Sequence, residues 1–229
     1  MDVKYLWFIT TCYAMLSLLS SWFVICCISL QNLTVNAGTL LCPITLLTAN
    51  LITEIYGFKN ARRAIWCGFF FNLLSYSYAL LTINLPTPSY ALHNHLFNSI
   101  FIIYLNNSFF FVISYLVTES FNIFLFAKLK LKLNGYYSKL RMAGCVFLSF
   151  FINNSILSLA RFFGSKICLE FIIMSFVNLL ITLVCLPIIC FIIDKVKILE
   201  KIDIYDLNTQ FNFFKFEVQY VLSNNKFTN

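Results

Sequence analysis

The stretch ICLEFIIMSFVNLLITLVCLPIICFII, residues 167–193, is apolar almost throughout and carries Pro187 near its end. It exceeds the about 20 residues that an α-helix needs to cross a bilayer. Five more such stretches precede it, at about 5–30, 38–56, 64–85, 98–126 and 142–163. The second is short and holds Pro43, Asn50 and Glu54, and the fifth holds Asn153 and Asn154. Six spans use roughly 120 residues and leave the rest for loops and tails. The chain therefore reads as all-α, a polytopic membrane protein with six transmembrane helices. Residues 1–194 form one membrane domain. Residues 195–229 form a cytoplasmic C-terminal tail, expected as a helix fraying at Ser223, Asn224, Asn225 and Lys226.

Composition agrees. Of the 229 residues, 60% are hydrophobic and 11% charged, and mean hydropathy is +0.83. Soluble domains carry about 25% charged residues, so a water-soluble enzyme of this size lacks the polar surface it needs. A disordered chain is excluded because its composition is poor in apolar residues. The net charge of +7 does not indicate a nucleic-acid partner, because the basic residues sit at the ends of apolar runs, where they set topology. With the N-terminus cytoplasmic, Lys4, then Lys59, Arg62 and Arg63, then Lys128 to Arg141, then Lys195 to Lys226 all fall inside. Arg161 and Lys166 fall outside. This asymmetry supports an even number of spans with both termini inside. It places the loop with Pro86, Pro88, His93 and His95 on the outer face. The first stretch is too long for a signal-peptide core and lacks a cleavage motif, so it reads as an uncleaved span.

Nine cysteines, almost all in apolar runs and without C-x-x-C spacing, read as small buried hydrophobes. The two histidines lie in the outer loop, and neither metal-ligand spacing, phosphate loop nor G-x-S-x-G is present. No cofactor, metal or catalytic residue is expected, and the chain does not read as an enzyme.

Ionisable groups at membrane depth cost roughly 2.5–3.5 kcal/mol on insertion scales and need a reason. Glu54 shares a helical face with Asn50, in a Pro43-marked span of the broken-helix kind that lines substrate cavities. Interfacial pairing with Lys59 or Arg62 is the alternative. Glu119 lies deeper and shares a face with Tyr115 and Asn122, against the alternative of snorkelling toward Lys128. Ser149 and Asn153 are a further i, i+4 pair, read either as part of a site or as interhelical hydrogen bonding. Arg141 is either a partner for Glu54 or Glu119, a lipid contact, or a topology residue.

The most distinctive stretch is PITLLTANLITEIYG, residues 43–57, followed by Lys59, Ala61, Arg62 and Arg63. It resembles the signature of the queuosine precursor transporter family, also called the vitamin uptake transporter family. Residues 114–126 with Leu129 and Lys130 resemble the family's fourth-span pattern. Leu140 and Arg141, followed by Gly144, Ser149 and Asn153, resemble its fifth. The likeness covers roughly residues 40–165. Asn50, Asn122 and Asn153 stand where the family usually has Asp, and Ala49 and Cys145 where Thr and Ser are expected. Glu54 and Glu119 remain as intramembrane acids.

The resemblance implies a plasma-membrane transporter, in the inner membrane if the cell is Gram-negative. It would import 7-deazaguanines such as 7-cyano-7-deazaguanine, 7-aminomethyl-7-deazaguanine or queuine for tRNA modification. The bilayer and that small molecule are the partners, no nucleic acid is bound directly, and an oligomer stays open. The substrate-binding set would be Asn50, Glu54, Glu119, Asn122, Asn153 and Tyr115, with Phe121 a weaker contact. A carboxylate can accept two parallel hydrogen bonds from a guanine-like N–H edge. Two alternatives remain: a substrate-binding subunit of a multi-component vitamin importer, with Ser17 and Ser21 as its docking face, or a non-transporting scaffold.

Overall fold

The computed structural model describes residues 3–24, 26–30, 33–85, 94–160, 167–207, 211–214 and 226. Pro86, Pro88, His93, Arg161, Lys166 and Ser223 to Asn225, to which the sequence assigns expectations, lie outside these residues, as does the His95 side chain. Five helices carry the architecture: α1 (Leu6–Phe23), α2 (Ala37–Asn84), α3 (Asn94–Lys132), α4 (Ser138–Ala160) and α5 (Ile167–Glu200). A short antiparallel hairpin, β1 (Cys27–Leu30) with β2 (Leu33–Asn36), joins α1 to α2. It is a small departure from the all-α expectation.

The second and third expected spans are merged in α2. Its 48 residues would measure about 72 Å if straight, more than twice a bilayer core. Gly57 divides it, with φ 80° and ψ 172° inside otherwise helical backbone. Contacts with α1 show that the two limbs fold back on each other. Near one end of α1, Ser20 donates to the Gly38 carbonyl and the Trp22 indole donates to Ser75. At the other end, the Tyr5 N–H and the Tyr56 hydroxyl both donate to Glu200. Residues 37–56 and 58–84 are therefore two passes joined by a single residue. The basic turn expected at Lys59 to Arg63 is not a loop; it forms the first turns of the second pass. Pro43 lies inside α2 without breaking it, so the broken-helix expectation moves from Pro43 to Gly57.

With this division the chain makes six helical passes. Among the described residues, four helices are long and apolar enough to cross a membrane by composition, α2 counting as one. Residues 143–160 of α4 hold no Asp, Glu, Lys or Arg and are mostly apolar, so α4 supplies a further pass. Large apolar side chains such as Trp7, Leu74, Val184 and Phe191 point outward, while Asn50, Glu54, Glu119 and Arg141 are buried. This polarity, apolar outside and polar within, suits a lipid surroundings. Ser17 and Ser21 are buried inside the chain and do not offer a docking face.

The tail differs from expectation. The helix α5 runs past residue 194 to Glu200, and residues 202–206 then follow as a non-helical segment packed into the bundle. Ile202, Asp203, Ile204 and Asp206 are all buried.

Candidate functional site

Three polar layers line up through the bundle. Their order follows from the helices: Glu119, Asn122 and Lys130 descend α3 toward the basic end, while Asn153, Ser149 and Arg141 mark the same descent on α4. From Glu119 to Lys130 the rise is about 16 Å, half a bilayer core.

The first layer is a cleft between α1, α2, α3 and α4. It holds about 350 Å³ of empty space once its open side is counted. Its enclosed part has room for about one water molecule, so a planar ring enters only when the helices part. Phe111, Tyr115 and Phe150 supply aromatic walls, and Ser20, Thr45 and Asn153 supply polar groups. Glu119 is the acid that lines it, with only 2% of its surface exposed. The hydroxyls of Thr45 and Tyr13 lie within its hydrogen-bonding reach. Its Oε2 has no hydrogen-bond partner among the described residues, nor has Thr118 Oγ1. An unmet buried acceptor is expensive to maintain, and a ligand donor is one way to meet it. Tyr13 and Tyr115 share a hydroxyl–hydroxyl bond of 2.6 Å beside this carboxyl, and Ser114 donates to Asn153 Oδ1.

The second layer is an amide cluster. Asn50 Nδ2 donates to Asn122 Oδ1 at 3.3 Å, and Asn122 Nδ2 donates to the Leu46 carbonyl at 3.1 Å. Ser149 lies 3.5 Å from the same Asn122 oxygen. Asn50 Oδ1 has no partner among the described residues. Asp in place of Asn50 would set an acceptor against Asn122 Oδ1, and Asp in place of Asn122 would set one against the Leu46 carbonyl, whereas the amides keep both contacts neutral and complementary.

The third layer is ionic. Arg141 Nη2 reaches both Glu54 oxygens, at 3.3 and 3.2 Å, and Lys197 Nζ reaches Glu54 Oε1 at 2.9 Å. Lys197 also pairs with Asp203 at 3.1 Å, and Lys130 pairs with Asp203 at 2.7 Å. Lys130 further donates to the backbone carbonyls of Glu54 and Ile204 and lies 4.5 Å from the Tyr205 ring centre. Burial, reinforced by the Asp203 carboxylate, holds the Tyr205 phenol above its ordinary pKa.

The expected site residues therefore separate. Glu119, Tyr115 and Asn153 meet at the cleft, Asn50 and Asn122 bond one layer below, and Glu54 belongs to the ionic layer with Arg141. Phe121 is half-buried and does not line the cleft.

A family model described as "putative vitamin uptake transporter" matches residues 36–192. The chain belongs to the vitamin uptake transporter family. The match spans α2 to α5 and so includes the cleft's Glu119, the amide cluster, Glu54 and Arg141. This family membership points to transport across a membrane rather than to catalysis. Tyr13 and Ser20 on α1, and Lys197 and Asp203 beyond residue 192, lie outside the match. No curated protein and no solved structure matched the chain.

Sequence reasoning assigned no site role to Tyr13, Thr45 and Thr118 at the cleft, or to Lys130, Lys197 and Asp203 below it. Hydroxyl residues on apolar helices carry no distinguishing pattern. The lysines were absorbed into the topology count. The alternation Ile202, Asp203, Ile204, Tyr205, Asp206 was the signal available for the tail, since a solvated tail has no need of buried isoleucines.

Proposed function

We propose that this vitamin uptake transporter imports a 7-deazaguanine queuosine precursor across the plasma membrane, binding it in the cleft at Glu119. The observation that carries the reading is the unpartnered Glu119 Oε2 in an aromatic-walled cleft. A guanine-like ring presents adjacent N–H donors along one edge, and a carboxylate receives such a pair in a fork. The Asn153 amide and the Thr118 hydroxyl suit the ring's carbonyl and nitrogen. Phe111, Tyr115 and Phe150 suit its faces. The amide cluster of Asn50 and Asn122 forms the floor that the substrate passes next.

The test is uptake in a bacterium that can neither make nor import queuosine precursors, with queuosine in its tRNA as readout. Each deazaguanine is supplied at low concentration. Modification restored by one of them, and lost with Glu119→Gln, is the expected result. A membrane-inserted chain that restores nothing with any of them overturns the reading.

A further inference from the structure

We propose that residues 202–206 are the latch of a cytoplasmic gate, closed by Glu54, Lys130, Arg141 and Lys197, which must release for cargo to leave the cleft inward. The inference rests on the transport reading, and it assigns these residues to the exit rather than to the substrate site.

The segment is not a loosely laid tail. The Ile204 N–H donates to the Ile55 carbonyl at 3.1 Å, and the Phe58 N–H donates to Asp206 Oδ2 at 2.9 Å. These bonds flank Gly57, so the latch satisfies backbone groups that the helix break leaves open. Lys130 from α3 and Lys197 from α5 both hold Asp203, and Lys197 also holds Glu54, which Arg141 from α4 grips from the far side. One five-residue segment thereby ties the break in α2 to the ends of α3 and α5, and through Glu54 to α4. These are the helices that must separate below the amide cluster for a ring to pass.

The geometry also explains why the groups are charged. Replacing a buried ion pair by apolar side chains is often neutral or stabilising, so stability alone does not call for three cations and two carboxylates here. Ion pairs that can separate into cytoplasmic water regain hydration when they open, which an apolar plug cannot do. The segment lies beyond the family match, which ends at residue 192, so it is a feature of this chain that the match does not describe.

Cys145 reports the state of the gate. It is fully buried one turn above Arg141 on α4. Inside-out vesicles holding the full chain are treated with a membrane-impermeant maleimide, and labelling of Cys145 is read by peptide mass spectrometry. Asp203→Asn with Asp206→Asn removes both latch carboxylates at constant shape. We expect Cys145 to label at least tenfold faster than in the parent. In a second variant, Ile55→Cys with Ile204→Cys, a disulfide ties the latch to α2 while every ion pair is kept. There labelling falls below the parent and returns with reductant. Parent-like labelling in either correctly inserted variant overturns the proposal. No cargo is needed, so the latch can fail while deazaguanine import stands, or hold while that import reading fails.

Discussion

Gly57→Ala should be among the most damaging single-methyl additions in this chain. At φ 80° and ψ 172° the backbone occupies a region that only glycine enters freely, and another residue there is strained by about 1–3 kcal/mol. The new Cβ would also stand 3.1 Å from Ile204 Cγ2 and 3.2 Å from Asp206 Oδ1. The latch must then retreat by some tenths of an ångström, stretching the Phe58–Asp206 hydrogen bond, worth about 1.5–3 kcal/mol as a charge-assisted bond. Together these give about 2.5–6 kcal/mol, and at about 2–4 °C per kcal/mol for a chain of this size Tm falls by roughly 5–24 °C. Gly144→Ala is the internal control. Its Cβ meets nothing within 4 Å, and alanine in a helix interior gains up to about 1 kcal/mol over glycine. Thermal unfolding of the detergent-solubilised protein, followed by tryptophan fluorescence, compares the two. If Gly57→Ala melts with the parent, the single-residue turn and its contact with the latch are both wrong.

Lys130→Met leaves Asp203 with Lys197 and strips the Glu54 and Ile204 carbonyls of their donor; we expect a loss of about 3–5 kcal/mol in the same melt, partly recovered by adding Asp203→Leu. Tyr13→Phe removes one hydroxyl of the 2.6 Å pair and should lower stability by about 1–2 kcal/mol without abolishing insertion. Glu119→Gln should reduce uptake at least tenfold while melting at or above the parent temperature, because it relieves a buried acid; equal uptake by parent and variant would remove Glu119 from the site. Asn122→Asp sets a buried carboxylate oxygen against the Leu46 carbonyl in place of the amide donor, and uptake at neutral pH is expected to fall while acidification restores part of it.

The number of passes was legible because hydropathy and the Lys and Arg asymmetry constrain each other. The turn at Gly57 was not, since helical sequence runs through it and only the backbone dihedrals betray the reversal. Glu119 and Asn153 were rightly marked as buried polar residues on shared faces. Spacing along one helix could not reveal that Glu54, one turn from Asn50, faces Arg141 and Lys197 from two other helices. The roles of the two acids are divided by tertiary contacts that pair residues 87 and 143 positions apart. Lys130 shows the same limit: at the end of an apolar run it looks like a topology lysine, yet it is 2% exposed.

The order of synthesis gives the latch a further meaning. Glu54, Lys130, Arg141 and Lys197 leave the ribosome before Asp203 does. While the helices insert, Lys130, Arg141 and Lys197 are among the cations that keep their inner ends from crossing, a bias to which carboxylates contribute little. Asp203 follows them and pairs with Lys130 and Lys197 only when every pass is in place. The segment that closes the bundle is thus made after the passes it ties together, and a chain stopped before residue 203 would be inserted correctly yet left unsealed at its inner end.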